Sequence, residues 1–165
     1  MKFETPLRNA PPQENPDTTS PFRTLHHICL VVHDLDKTVA AYEALGVGPW
    51  FDYPKGDAYA QLYVPNKDGS DALRYRCCNL ANFQLQICQP SEHDTPQRRF
   101  LLERGEGVYH FGFEVPNLPD AVDAGQAMGL EVLARGIRAD GSGFCYFDTQ
   151  DRNGVVLEVR KSNGM

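Results

Sequence analysis

The pattern of apolar and polar positions changes sharply near residue 25. Residues 1–22 are rich in proline, asparagine, threonine and glutamate and show almost no apolar periodicity. A segment of this kind cannot bury enough apolar surface to offset the entropy lost on ordering. We therefore predict a flexible N-terminal arm over residues 1–22 and a single folded domain over residues 23–165.

The first apolar segment of the domain reads as a strand followed by a helix. Residues 27–32 form a short run rich in branched side chains, which is typical of a strand buried on both faces. Asp34 is a candidate helix cap, and residues 36–45 carry apolar side chains at helical spacing. Gly46 then suits the left-handed residue that ends many helices.

This strand and helix recur 83 residues later along the chain, where His27 falls on His110 and Gly46 on Gly129. Further strand candidates follow each copy, at residues 59–64, 73–79 and 83–89 in the first and at residues 131–134, 143–147 and 155–160 in the second. The pattern predicts two β-α-β-β-β modules, about 24–90 and 107–161, joined by a linker helix over residues 95–104. Short strands with only three helices favour an α+β fold over a regularly alternating parallel α/β fold.

Composition and charge narrow the classes of partner. The chain has 165 residues, a formal net charge of -6 and a pI near 5.3, which argues against nucleic-acid binding. No apolar run is long enough to cross a bilayer and no secretory signal opens the chain, so we expect a cytoplasmic protein without membrane partners. The five cysteines lie in strand-like stretches without CxxC spacing, and we expect reduced thiols in the core.

The candidate chemistry follows from the alternation of side chains along strands. If one set of each strand's side chains packs on a helix, the opposite set in the two modules includes His27, Gln86, His110 and Glu158. Two imidazoles, a carboxylate and an amide oxygen suit one divalent cation, namely Zn, Co, Mn, Ni or Fe(II). We therefore predict a metal site formed by these four side chains.

Several stretches resemble the vicinal oxygen chelate superfamily, which includes glyoxalase I, methylmalonyl-CoA epimerase, extradiol dioxygenases and bleomycin-resistance proteins. They are LHHI at 25–28, QICQP at 86–90, RGEGVYHF at 104–111, YFDT at 146–149 and GVVLE at 154–158. The resemblance is strongest to the epimerase-like branch. It implies a U-shaped mixed β-sheet cup with helices outside, the same four metal ligands, and a homodimer.

The resemblance also implies that a substrate binds the metal through oxygen while a base moves a proton next to a carbonyl. Tyr75 and Tyr109 are candidate proton donors, and Glu158 is a candidate base that would leave the metal. If Arg74 and Arg76 face the cup, they could clamp a carboxylate or phosphate. Candidate substrate-binding residues are Arg74, Arg76 and Gln84. The strand over residues 73–79 has no acidic residue, whereas the epimerases carry one there.

Three functions remain open from the sequence. The first is a metal-dependent isomerase or lyase that acts on a small oxygenated acid or ketone. The second is an Fe(II) extradiol-type dioxygenase, in which His27, His110 and Glu158 hold iron without Gln86. The third is a small-molecule binding protein without turnover. His26 is expected to point to the helix face or the rim as a neighbour that does not bind the metal.

Overall fold

A computed structural model describes residues 19–54 and 58–163, and it shows one mixed β-sheet with helices packed against it. The strands are β1 (Leu25–Val31), β2 (Phe51–Asp52), β3 (Gln61–Tyr63), β4 (Arg74–Asn79), β5 (Gln84–Gln89), β6 (Gly107–Glu114), β7 (Val132–Ile137), β8 (Gly143–Phe147) and β9 (Val156–Lys161). The helices are α1 (Leu35–Ala44), α2 (Lys67–Asp71), α3 (Pro96–Arg104), α4 (Leu118–Ala127) and α5 (Gln150–Asn153). The short helices α2 and α5 were not expected from the sequence.

The strand order shows the duplication directly. It runs β2-β4-β5-β1-β6-β9-β8-β7-β3, with the antiparallel pair β1 and β6 at the centre. In the first half β1 lies parallel to β5, and in the second half β6 lies parallel to β9. The two halves therefore meet through their equivalent first strands, and the α+β class predicted from the sequence is confirmed.

Three apolar clusters fill the two faces of the sheet. Helix α1, capped by Asp34, buries Leu35 and Val39 against β4 and β5. Helix α4 buries Leu118 and Val122 against β8 and β9 in the equivalent position of the second half. The third cluster lies on the opposite face of the central strands, where α3 packs on β1 and β6. The side-chain alternation of the duplicated strands thus separates helix-facing positions from those that line the cup.

One strand of the first half of the chain pairs with the second half of the sheet. The predicted strand over residues 59–64 is shorter, and as β3 it pairs with β7 of the second half instead of joining its own module. Its place is taken by β2, which pairs with β4 at the opposite edge of the sheet. Strands β2 and β3 thus lie at opposite edges of the sheet, and Tyr53 and Tyr59 both line the cavity inside the cup.

The ends of the chain and the cysteines complete the fold. Residues 1–18 of the predicted arm lie outside the described residues. Phe22, placed in the arm by its sequence context, instead packs its ring 5.5 Å from that of Phe113 and 6.0 Å from that of Phe147. All five cysteines are buried free thiols. Among the helices that the structure describes, none is both long and apolar enough to cross a membrane.

Gly125 is the position where helix α4 comes closest to the sheet. A Cβ at this residue would lie 2.4 Å from the ring of Phe147, which is itself fully buried. We expect Gly125→Ala to lower the free energy of unfolding by about 1–3 kcal/mol, because the core cannot accept the added methyl group without moving. Denaturant unfolding measures this change. The control is Gly107→Ala on β6, where a Cβ meets no atom within 4 Å; equal destabilisation by both variants would contradict the packing argument.

Candidate metal centre

Strand register brings the predicted ligands into two adjacent rows on the cup-facing side of the sheet. In one row, His27 of β1 pairs with Gly112 of β6, which pairs in turn with Glu158 of β9. In the next row, Gln86 of β5 pairs with Cys29 of β1, and Cys29 pairs with His110 of β6. Three of the four predicted ligands therefore come from the central strands β1, β6 and β9, and the fourth comes from their neighbour β5.

Three donor atoms meet at one point between these rows. His27 Nε2 lies 2.8 Å from His110 Nε2 and 2.8 Å from Glu158 Oε2, and His110 Nε2 lies 3.0 Å from the same carboxylate oxygen. All three side chains are buried, with at most 4% of any residue exposed. The structure thus brings together His27, His110 and Glu158 as the sequence predicted.

The hydrogen-bonding capacity of the three donor atoms indicates that they fit a metal ion. A neutral imidazole nitrogen either donates or accepts, so three acceptor-type atoms facing one another cannot all be satisfied by protons. Glu158 Oε2 makes no hydrogen bond to any described residue despite these short contacts. Two ligand atoms that bind one metal ion at 90° to each other, each on a bond of about 2.1 Å, lie about 3.0 Å apart. This separation is close to the distances between the three donor atoms. The donor set fits a divalent cation.

The charges in the centre agree with this fit. Burial alone would raise the pKa of Glu158, but the adjoining His27 and His110 lower it well below the usual range, so the carboxylate stays charged. Burial lowers the pKa of His110, although Glu158 opposes the change, so its imidazole stays neutral. The buried, charged carboxylate of Glu158 beside two imidazoles is a donor set whose charge a divalent cation would balance.

His26, expected as a neighbour that does not bind the metal, is half-buried and contacts His27. The β1–β6 pairing shifts between Leu25 and His27, and this irregularity places the His26 and His27 rings edge to face with their Nδ1 atoms 2.9 Å apart. Burial, aided by the charge of Arg160, lowers the pKa of His26 to about 4. Neutral His26 can therefore accept from His27 Nδ1–H, which leaves His27 Nε2 free to bind a metal.

Gln86 lines the same cavity as His27 and Glu158 and is 2% exposed. Its amide nitrogen donates to Gln84 Oε1 at 2.7 Å, and Gln84 in turn donates to Asn79 Oδ1 at 3.0 Å. This chain of hydrogen bonds orients the Gln86 amide, and no described residue donates to its oxygen. Gln84, predicted as a substrate-binding residue, contacts Gln86 and Asn79 instead of lining the cavity.

The cavity in front of the centre has a volume of about 250 Å³. Tyr75 and Tyr109 both line it, as expected for residues that act on a bound substrate. Burial raises the pKa of both phenols well above the usual range. Their hydroxyl groups therefore stay protonated near neutral pH and can donate a hydrogen bond or a proton but cannot act as bases.

The two arginines predicted to clamp an anion do not face the cup. Arg74 pairs with Asp36 of α1 at 3.3 Å, and Arg76 pairs with Asp52 of β2 at 3.4 Å. Tyr75 occupies the inner face of β4, so the alternation of the strand turns both neighbours outward. The expected placement of Arg74 and Arg76 in the cup is wrong, since both lie on the face that carries α1.

Comparison with known proteins agrees with this arrangement. A family model described as the Glyoxalase/Bleomycin resistance protein/Dioxygenase superfamily matches residues 26–146. The chain belongs to this superfamily. The resemblance noted from its sequence motifs is therefore confirmed. Superfamily members typically hold a divalent metal, and the three clustered donors described above form a possible site for one.

Two protein sequences illustrate the relationship. The mitochondrial methylmalonyl-CoA epimerase of Homo sapiens is 24% identical over 141 residues, which cover 84% of this chain and 73% of that protein. The uncharacterized protein YqjC of Bacillus subtilis is 27% identical over 93 residues, which cover 52% of this chain and 66% of that protein. The chain thus spans slightly less than two thirds of YqjC.

Two solved structures share the fold of this superfamily member. Methylmalonyl-CoA epimerase from Mycobacterium tuberculosis superposes with a TM-score of 0.65 at 20% identity, covering 88% of this chain and 92% of that one. A Streptomyces coelicolor methylmalonyl-CoA epimerase variant in complex with 2-nitronate-propionyl-CoA gives a TM-score of 0.62 at 25% identity, covering 86% and 98%. The first shows the shared fold, and the second agrees with the epimerase-like branch expected from the motifs.

Other cavity residues were not identified from the sequence. Asp71 and Lys67 of α2 line the cavity, and Tyr146 lines it from β8. The only earlier hint for Tyr146 was its place in a family-like stretch, and α2 had no signal strong enough to predict a helix. Asp71 supplies a carboxylate just before β4, the strand in which the sequence offered none.

Gly112 is required for the two rows to meet at the metal centre. A Cβ at this position would lie 2.0 Å from Cε1 of His27. We expect Gly112→Ala to displace that imidazole and to weaken Zn²⁺ binding by about 10- to 100-fold or more, the range known for damage to groups that orient metal ligands. Calorimetric titration of metal-free protein measures the affinity.

The matched control for this variant is Gly107→Ala on the same strand, where the added methyl group meets no neighbouring atom within 4 Å. It should bind Zn²⁺ as tightly as the wild type. Thermal unfolding of both metal-free variants separates lost affinity from lost folding. Unchanged Zn²⁺ affinity in folded Gly112→Ala would show that His27 does not need its present position to bind the ion.

Proposed function

We propose that this protein is a metal-dependent isomerase that moves a proton next to a metal-bound carbonyl of a small oxygenated acid or its thioester. The observation that carries the proposal is the meeting of His27 Nε2, His110 Nε2 and Glu158 Oε2 within 3.0 Å of one another at the wall of a cavity. The oxygen of Gln86, directed by Gln84, would supply a fourth ligand. The ion would be Zn, Co, Mn, Ni or Fe(II).

A bound divalent ion would act as a Lewis acid that polarises the substrate's carbonyl oxygen. The chain's own contribution is to orient the substrate and to exclude water from it. Tyr75 and Tyr109 stay protonated, so their hydroxyl groups would donate to oxygen atoms on which negative charge develops. A cavity lined mostly by aromatic and aliphatic side chains strengthens such interactions because the local dielectric constant is lower than that of water.

Two carboxylates could serve as the base. Glu158 was the candidate from the sequence, but its lowered pKa makes it a weak base and a good metal ligand. Asp71 lines the same cavity, and within the described part of the chain its ion pair is with Lys67. We infer that Asp71 takes the proton and that Glu158 stays on the metal.

Relatives support this choice of reaction. The human relative and the structural neighbours named above are methylmalonyl-CoA epimerases, and one of them is described in complex with a propionyl-CoA analogue. Epimerisation of an acyl thioester is one reaction of the class proposed here. We also propose that the protein acts as a homodimer in the cytoplasm.

A specific observation favours a second candidate. Two imidazoles and one carboxylate that meet at a point are also the donor set of Fe(II) oxygenases, which leave further positions open for oxygen and substrate. If Gln86 does not bind the ion, the same centre would suit an extradiol-type dioxygenase. Oxygen consumption by the Fe(II)-loaded protein with catechol would favour this alternative over the isomerase.

Solvent exchange tests the isomerase directly. Co²⁺-loaded protein is incubated in D₂O with methylmalonyl-CoA or with 2-oxobutanoate, and proton NMR follows the hydrogen next to the carbonyl. We expect enzyme-dependent replacement of that hydrogen by deuterium. Glu158→Gln should lower both metal content and exchange, whereas Asp71→Asn should slow exchange by about 100-fold or more while metal content stays unchanged.

Glu131→Gln is the control, because this carboxylate is exposed and lies outside the cavity. It should retain both metal and exchange. Exchange that persists in Glu158→Gln, or its absence from metal-loaded wild type with both compounds, would contradict the proposed reaction.

A further inference from the structure

The cavity has a second polar region besides the metal centre, and it lies at the first turn of helix α3. Thr95, Pro96 and Gln97 all line the cavity there. Thr95 caps the helix, since its Oγ1 accepts from the Arg98 N–H at 3.1 Å and its carbonyl accepts from the Arg99 N–H at 2.9 Å. The Gln97 N–H has no acceptor among the described residues.

The side chain of Gln97 is also unpartnered. The residue is 8% exposed, yet its amide group makes no hydrogen bond to any described residue. Because the residue is buried on its other sides and lines the cavity, the part of it still open to a ligand faces the cavity. An amide that keeps access to the cavity and has no partner among the described residues is free to bind a ligand with a matching polar group.

The surroundings favour an anionic oxygen at this position. The N-terminus of a nine-residue helix carries a partial positive charge, and its free N–H group is that of Gln97. Asp71, which also lines the cavity, is paired with Lys67. Gln97 would contribute a side-chain donor next to its backbone donor, and two donors suit a carboxylate.

The two polar regions are separated by an apolar stretch of the cavity. Helix α3 packs on Val31, Cys29 and Tyr109, whereas the metal donors begin at His27. His27 and Val31 are four residues apart on β1, which corresponds to about 13 Å along the strand. The side chains that line the cavity include Leu62, Leu73, Tyr75, Tyr109, Leu133 and Phe144.

We propose that Gln97 and the first turn of α3 form a carboxylate subsite, which holds the far end of a substrate whose other oxygen end reaches the metal centre. The substrate class is therefore an acid with a carboxylate, an apolar middle and a second oxygen group. Binding of one end of the substrate at the metal rests on the proposed function. Binding of the other end at α3 rests on Gln97 and the helix alone.

Paired acids test the subsite. Calorimetry measures the dissociation constants of adipate and hexanoate, which differ only in the second carboxylate, for Zn²⁺-loaded wild type. We expect adipate to bind about tenfold more tightly, from the hydrogen bonds to its second carboxylate. Gln97→Leu should reduce the ratio to within about twofold, and Gln97→Glu should reverse it because like charges repel. Gln126→Leu on the exposed face of α4 is the control and should keep the wild-type ratio.

A ratio in Gln97→Leu equal to that of the wild type would overturn the subsite, as would equal affinity of the wild type for both acids. The same titrations in His110→Ala separate this result from the proposed function. His110→Ala impairs the metal end of the site. When Gln97→Leu is added to this variant, hexanoate should bind more weakly than it binds to His110→Ala alone. If the metal proposal fails and the subsite is correct, only the effect of Gln97 persists.

Discussion

The constraint on which the site depends is the burial of one carboxylate between two imidazoles. Glu158 is 4% exposed and His110 is fully buried, so water cannot compensate the charge of this group. The contacts of 2.8 to 3.0 Å between the three donor atoms are too short for unshared lone pairs to face one another without a cation or proton between them. A site of this composition costs stability when empty and recovers it when a divalent ion binds.

Duplication is what makes the site possible with so few residues. The β1–β5 and β6–β9 pairs have the same parallel register, so Gln86 stands opposite Cys29 as Glu158 stands opposite its equivalent, Gly112. The two modules differ where the rows meet. Because Gly112 has no side chain, the imidazole of His27 can occupy its space and reach Glu158. The repeat supplies the ligands, and this one asymmetry allows them to converge.

The sequence predicted the parts of the structure that depend on local periodicity. Strand alternation was sufficient to place His27, His110 and Glu158 on one face, and the helical spacing after Asp34 predicted α1. It could not predict that β3 joins β7, because strand pairing between distant segments leaves no local pattern. Nor could it predict the shift in strand pairing between Leu25 and His27, which follows from the pairing of β1 with β6. Gln97 carried no signal at all, because its significance comes from being buried beside a cavity without a partner.

The coordination of the bound metal ion tests the central claim most directly. The claim is that His27, His110 and Glu158 bind one ion. X-ray absorption spectroscopy of Co²⁺-loaded protein reports the number and type of ligands around the metal. We expect a shell of nitrogen and oxygen atoms at about 2.1 Å with the outer-shell scattering of two imidazoles, falling to one imidazole in His110→Ala. A shell that contains sulfur from the neighbouring buried cysteines, or a spectrum unchanged by His110→Ala, would contradict it.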